Sequence, residues 1–178
     1  MKKTLAVLLA ATMLLLPACG KKEEANTIRD DKSLSEVMDA VSAAYSEKYG
    51  EDVPIVMMPM EVDTQMLGDM CQLASEDVAE TYGWIAASMT NSDAFFAVKA
   101  AEGKIDVVTE ALAARIEALI AQYEFYPVNG SYDRAKAGKV YVKGDYAFLI
   151  AVGTASEDPS TYEQEVQFVM DTIDTMFY

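Results

Sequence analysis

Histidine is absent from this chain of 178 residues. That excludes Ser-His-Asp and Cys-His catalysis and any histidine-ligated metal centre. Cysteine is scarce, with Cys19 and Cys71 the only two. Basic residues are also few. Lys and Arg number 14 against 29 Asp and Glu, a formal charge of −15. Such a surface repels nucleic acid and anionic lipid, so no nucleic-acid partner is expected. No helix face is rich enough in Lys or Arg to lie along a bilayer. The chain also lacks an EF-hand loop with its central glycine, internal repeats and coiled-coil heptads.

The long apolar run that is present lies at the N-terminus. Lys2 and Lys3 precede an uncharged stretch from Leu5 to Leu16, and the small residue Ala18 precedes Cys19. The stretch is shorter than the roughly 20 residues a helix needs to span a bilayer core. This is the layout of a secretory signal over residues 1–18, which takes no part in the fold. Leu16-Pro17-Ala18-Cys19 resembles the bacterial lipobox. The resemblance implies a diacylglycerol on the Cys19 sulfur and cleavage that leaves Cys19 as the new N-terminus. It implies a lipoprotein anchored to the cell membrane and facing its extracytoplasmic side. Acyl chains such as palmitate hold well because each buried CH₂ contributes about 0.8 kcal/mol. Gly20 is not an aspartate, so nothing here signals retention at an inner membrane.

Loss of residues 1–18 takes the formal charge to −17. Once Cys19 is acylated, Cys71 is the one thiol left and no internal disulfide can form. Cys71 lies among apolar neighbours in GDMCQLAS and reads as a buried, inert thiol. Residues 19–33 are mostly polar and read as a lipidated flexible tether. Residues 34–178 are long enough for a single domain with a real core.

Within that domain, Ser33 and Glu36 make a capping box for a helix from Leu34 to Tyr49. Val37, Met38, Val41, Ala44 and Tyr45 form its stripe. The proline-marked EDVPIVMMPM at 51–60 reads as irregular or briefly extended. A short helix is expected at 63–70 and a turn near 75–79. Strands are expected at 81–88 and 94–100, joined by the turn-like MTNSD. Ile105 to Tyr126 has helical spacing and ends at Pro127. Residues 128–138 read as a loop. Two strands then flank Gly144-Asp145, a hairpin signal. A last helix starts near Asp158-Pro159-Ser160, with Tyr162, Val166, Val169, Ile173 and Phe177 inward. The expected fold is α+β: an antiparallel sheet of about four strands in the order β-β-α-β-β, with helices packed on one face. An N-terminal helix precedes it and a C-terminal helix follows.

The segments MTNSDAFFAVKA, ARIEALIAQYEFYP and GKVYVKGDYAFLIAV resemble domain of unknown function 4358. The likeness covers roughly residues 35–153. It implies a small bacterial lipoprotein of Gram-positive anaerobes. It carries no recognisable catalytic group and no functional residue to transfer.

Three clusters invite a site. Met57, Met58, Met60, Met66, Met70 and Cys71 are soft sulfur ligands suited to Cu(I), yet methionine also fills core gaps. Asp63, Asp69, Glu76, Asp77 and Glu80 supply the carboxylates a glycosidase needs, but read equally as helix caps and solvated charge. Tyr123, Phe125, Tyr126 and Tyr132 form either a binding platform or the end of the core. Lys143-Gly144-Asp145 is a backbone turn and not a phosphate cradle. The function expected is therefore non-enzymatic: a cell-surface binding or envelope-assembly module, with no catalytic residue, no metal and no cofactor. The alternatives are a small-ligand-binding lipoprotein associated with uptake and a carboxylate-dependent hydrolase. The membrane, reached through Cys19, is the partner the sequence names.

Overall fold

The computed structural model describes residues 26–178. The expected signal, Cys19 and the first part of the tether lie outside the described residues. Helix α1 spans Leu34–Tyr49, strand β1 Pro59–Glu61, α2 Thr64–Cys71, β2 Val78–Ala86 and β3 Ala94–Ala100. Next come α3 Ile105–Glu124, α4 Ser131–Ala137, β4 Lys139–Lys143, β5 Tyr146–Ala151 and α5 Ser160–Thr175. The strands form one antiparallel sheet in the order β1-β2-β3-β5-β4. The sheet thus has five strands where about four were expected.

The helices cover both faces of the sheet, not one. Phe95 and Ala97 of β3, with Phe148 and Ile150 of β5, face α1 and α5. Phe96 and Val98, with Ala147 and Leu149, face α2 and α3. The physical reason is legible in AFFAVKA. The run is apolar at successive positions, and a strand of that kind needs cover on both sides. Burying each phenylalanine contributes about 1.5–3 kcal/mol, so neither face is left to solvent.

The fifth strand is three residues long and starts at a proline. At the first position of an edge strand a missing N–H costs nothing, so Pro59 is tolerated. Strand β2 begins at Val78, earlier than expected, because a bulge between Val78 and Glu80 breaks the alternation. The expected loop at 128–138 contains α4, whose two short turns offer no apolar period to read. The capping box at Ser33 and Glu36 forms as expected. Gly144 makes the β4–β5 turn with φ +56°.

Residues 27–29, within the stretch expected as tether, lie on the domain. Tyr178 N–H donates to Thr27 O at 3.0 Å and Arg29 N–H to Met176 O at 2.8 Å. Ile28 packs on the α1–α5 core.

Gly83, in the middle of β2, takes φ +132°, and a Cβ there would meet Phe95 O and Phe96 Cα at 2.4 Å. Gly83→Ala is expected to lose about 3 kcal/mol in urea unfolding. Gly103→Ala, at φ +72° in open space, should lose only about 1 kcal/mol. Equal midpoints for the two variants would contradict the close approach at Gly83.

Candidate functional site

A half-open cleft of about 480 Å³ lies at one end of the sheet. Its walls come from segments without regular pairing: Asp52 to Met58 ahead of β1, Ser88 to Asp93 between β2 and β3, Asn129 ahead of α4, and Gly153 to Ala155 after β5. Tyr45 of α1 and Arg134 of α4 complete it. Three lining residues adopt left-handed backbone: Met58 at φ 51°, Asn129 at 53° and Gly153 at 146°. At Met58 and Asn129, which carry a Cβ, this conformation costs free energy, and such residues concentrate where surrounding structure holds a site in shape.

Asp93 and Arg134 form an ion pair beneath this cleft, each 4% exposed. Arg134 Nε lies 2.9 Å from Asp93 Oδ1, but its N–H points at Gly153 O, 3.0 Å away. Asp93 Oδ1 is therefore held by charge and receives no hydrogen bond. Asp93 Oδ2 accepts from Met57 N–H at 2.9 Å and from Asn91 Nδ2 at 3.0 Å. Arg134 Nη1 donates to Asn91 Oδ1 at 2.9 Å, and Nη2 to Asn129 O at 3.5 Å. Burial raises the Asp93 carboxyl above the usual range, and the Arg134 charge opposes that shift.

A second buried carboxylate, Glu165 of α5, stands beside the pair. It accepts from Thr154 Oγ at 2.7 Å, from Thr154 N–H at 3.1 Å and from the Tyr45 hydroxyl. Burial, then Glu165, pushes the Tyr45 phenol well above its ordinary value, so Tyr45 stays a donor. The two buried carboxylates here, Asp93 and Glu165, are both engaged by protein donors. The arrangement braces four loops and three helices around an open space lined by Val53, Pro54, Met57 and Met58.

The clusters singled out in the sequence fall elsewhere or apart. Met57 and Met58 are exposed on the cleft, and Met60 is exposed on β1. Met66, Met70 and Cys71 pack in the core between α2, α3 and the sheet. The six sulfurs are thus divided. Among the described residues, no group of three or more Cys, Asp or Glu is placed to hold a metal ion. Asp63 caps α2 through Met66 N–H at 2.8 Å. Asp77 pairs with Lys104 at 2.7 Å, while Asp69, Glu76 and Glu80 are exposed. None of the five lines the cleft. Tyr123 is buried and donates to Asn91 O at 2.7 Å, Tyr132 packs beside it, and Phe125 and Tyr126 are exposed. Lys143 pairs with Asp174 at 2.7 Å at the turn.

Sequence reasoning did not single out Tyr45, Asp93, Arg134 or Glu165 as site residues. One signal was present. Glu165 interrupts the inward stripe of α5, three residues after Tyr162 and next to Val166, where a charge must find partners. Asp93 closes MTNSD just before an apolar strand, and Arg134 lies in what reads as a loop.

The family model described as Domain of unknown function (DUF4358) matches residues 51–152, and the chain belongs to that family. The matched span includes Met57, Asn91, Asp93 and Arg134; Tyr45 and Glu165 lie outside it. No curated protein and no solved structure matches the chain.

Removing the cation of the buried pair leaves Asp93 uncompensated. Arg134→Met is expected to cost about 3–5 kcal/mol in urea unfolding, and Asp93→Asn on the same chain should restore part of the loss. Additive losses would contradict the coupling. Burial pushes the Cys71 thiol up to about 11. In a Cys19→Ala background its reaction with a disulfide reagent at pH 8 should be roughly 100-fold slower than that of an unfolded thiol. Equal rates with and without denaturant would place Cys71 at the surface.

Proposed function

We propose that this member of the family is a non-enzymatic binding module, held outside a cell membrane by lipid on Cys19, whose cleft takes a small ligand. The observation that carries the reading is the cleft at Asp93 and Arg134. Its volume lies in the range of small-molecule sites, which are mostly apolar with a few placed polar groups. Asp52 and Asp93 outnumber the single cation Arg134 in the lining, and Glu165 stands behind, which disfavours an anion. A hydrolase reading is less well supported. It needs two carboxyls acting as a pair, and among the described residues of the cleft Asp52 alone is exposed and without a protein donor. Glu165 is occupied by three donors, and Asp93 is tied to Met57, Asn91 and Arg134.

The test is a metabolite screen on the chain with Cys19→Ala, read by thermal unfolding. A ligand at 100 times its Kd adds about 2.7 kcal/mol, roughly 5–10 °C for a domain of this size. Ala155 lines the cleft and is exposed, so Ala155→Trp should fill the space without disturbing the core. Hits that vanish with Ala155→Trp support the reading. Hits indifferent to it, or a screen without hits, count against a ligand cleft. The anchor is read separately, as the mass of diacylglycerol on membrane-extracted protein and its loss with Cys19→Ala.

A further inference from the structure

The domain has two unlike ends, and the chain's route through it separates them. At one end, Asp93 leads into β3, Gly153 and Thr154 follow β5, and Met57 and Met58 precede β1. That end holds the cleft. The register fixes the other end. Lys99 of β3 stands opposite Tyr146 of β5, and Ala100 N–H donates to Asp145 O at 2.8 Å beside the β4–β5 turn. The described chain begins at this second end. Asn26 lies so close to the turn that a Cβ on Gly144 would sit 2.5 Å from Asn26 O. The C-terminus closes over the same place, through Tyr178 N–H to Thr27 O at 3.0 Å.

From Asn26 back to Cys19 is seven residues, a reach of at most about 25 Å. Strand β3 is seven residues long and separates the two ends by about 20 Å, and α3 is longer still. A tether of that reach, fixed at the turn end, keeps that end near the anchor point. Arg29, Lys99, Lys104 and Lys143 lie there, but Lys104 and Lys143 are paired with Asp77 and Asp174, so the orientation rests on the reach of the tether and not on charge. Lys21 and Lys22 adjoin Cys19 and favour anionic head groups.

We propose that the β4–β5 turn, with Asn26 and the neighbouring lysines, is the surface that faces the lipid bilayer, and that the cleft faces away from it. The inference rests on the anchoring part of the function proposed above. It assigns the ligand's route: the cleft is filled from the exterior medium and not from the membrane. The partner of the turn end is a lipid surface.

The experiment uses the intact lipidated protein in nanodiscs of phosphatidylcholine and phosphatidylglycerol with a fraction of nitroxide-headgroup lipid. Amide broadening is read by NMR against nitroxide-free discs. Broadening at Lys99, Gly144 and Asp145 is expected to exceed that at Asn91, Asp93 and Thr154 by several-fold. Equal broadening at both ends, or stronger broadening at Asn91 and Thr154, overturns the orientation. The intact mass of the same sample separates the two readings. A diacylglyceryl group on Cys19 with the reverse broadening pattern defeats the orientation alone, whereas an unmodified Cys19 defeats both.

Discussion

The rest of this structure depends on β3 being buried on both faces. Phe95 and Phe96 are adjacent in sequence and fully buried, yet they belong to opposite sides of the sheet. Neither side can be left to water, so α1 and α5 must cover one and α2 and α3 the other. The close approach of β2 at Gly83 follows from the same demand, since its backbone lies against Phe95 and Phe96. The small residues Ala97 and Ala147 let helices approach where the phenylalanines leave room. A three-layer arrangement results from one seven-residue segment that has no polar side.

That constraint also explains why much of the fold is legible in the sequence and part of it is not. Helices α1, α3 and α5 each lie against one sheet face, so their apolar residues repeat at helical spacing and their positions can be read directly. The β4–β5 hairpin declares itself through Gly144-Asp145. Strand β1 does not, because three residues starting at a proline carry no alternation. Helix α4 does not, because it is short and the partners of its Arg134, namely Asn91, Asp93 and Gly153, are distant in sequence. The candidate site escaped for the same reason. Its residues come from six places along the chain, and only folding brings them together. Methionines that are neighbours in sequence gave the opposite lesson. Met57 and Met58 end on the cleft, while Met66 and Met70 enter the core on α2.

The cleft end and the turn end differ in how their loops are satisfied. At the turn end the backbone pairs with itself, as between Ala100 and Asp145 and between Thr27 and Tyr178. At the cleft end the segments at 57, 129 and 153–154 cannot all join the sheet. Buried N–H and C=O groups still need partners there. Side chains supply them: Asp93 takes Met57 N–H, Glu165 takes Thr154 N–H, and Arg134 serves Gly153 O and Asn129 O.

This substitution carries a cost and a consequence. Burying two carboxylates and a guanidinium is unfavourable unless each is well paired, and the raised Asp93 carboxyl reflects that penalty. The ion pair with Arg134, set beside Asn91, offsets it, and Glu165 relies on Tyr45 and Thr154. The consequence is rigidity in segments that would otherwise move. Ordering loops on binding weakens affinity, whereas walls already held in place escape most of that loss. The left-handed backbone at Met58, Asn129 and Gly153 is maintained by the same braces. The polar cluster that lets irregular chain end the sheet therefore also shapes an open, pre-ordered space, and this is the physical ground on which a binding role stands.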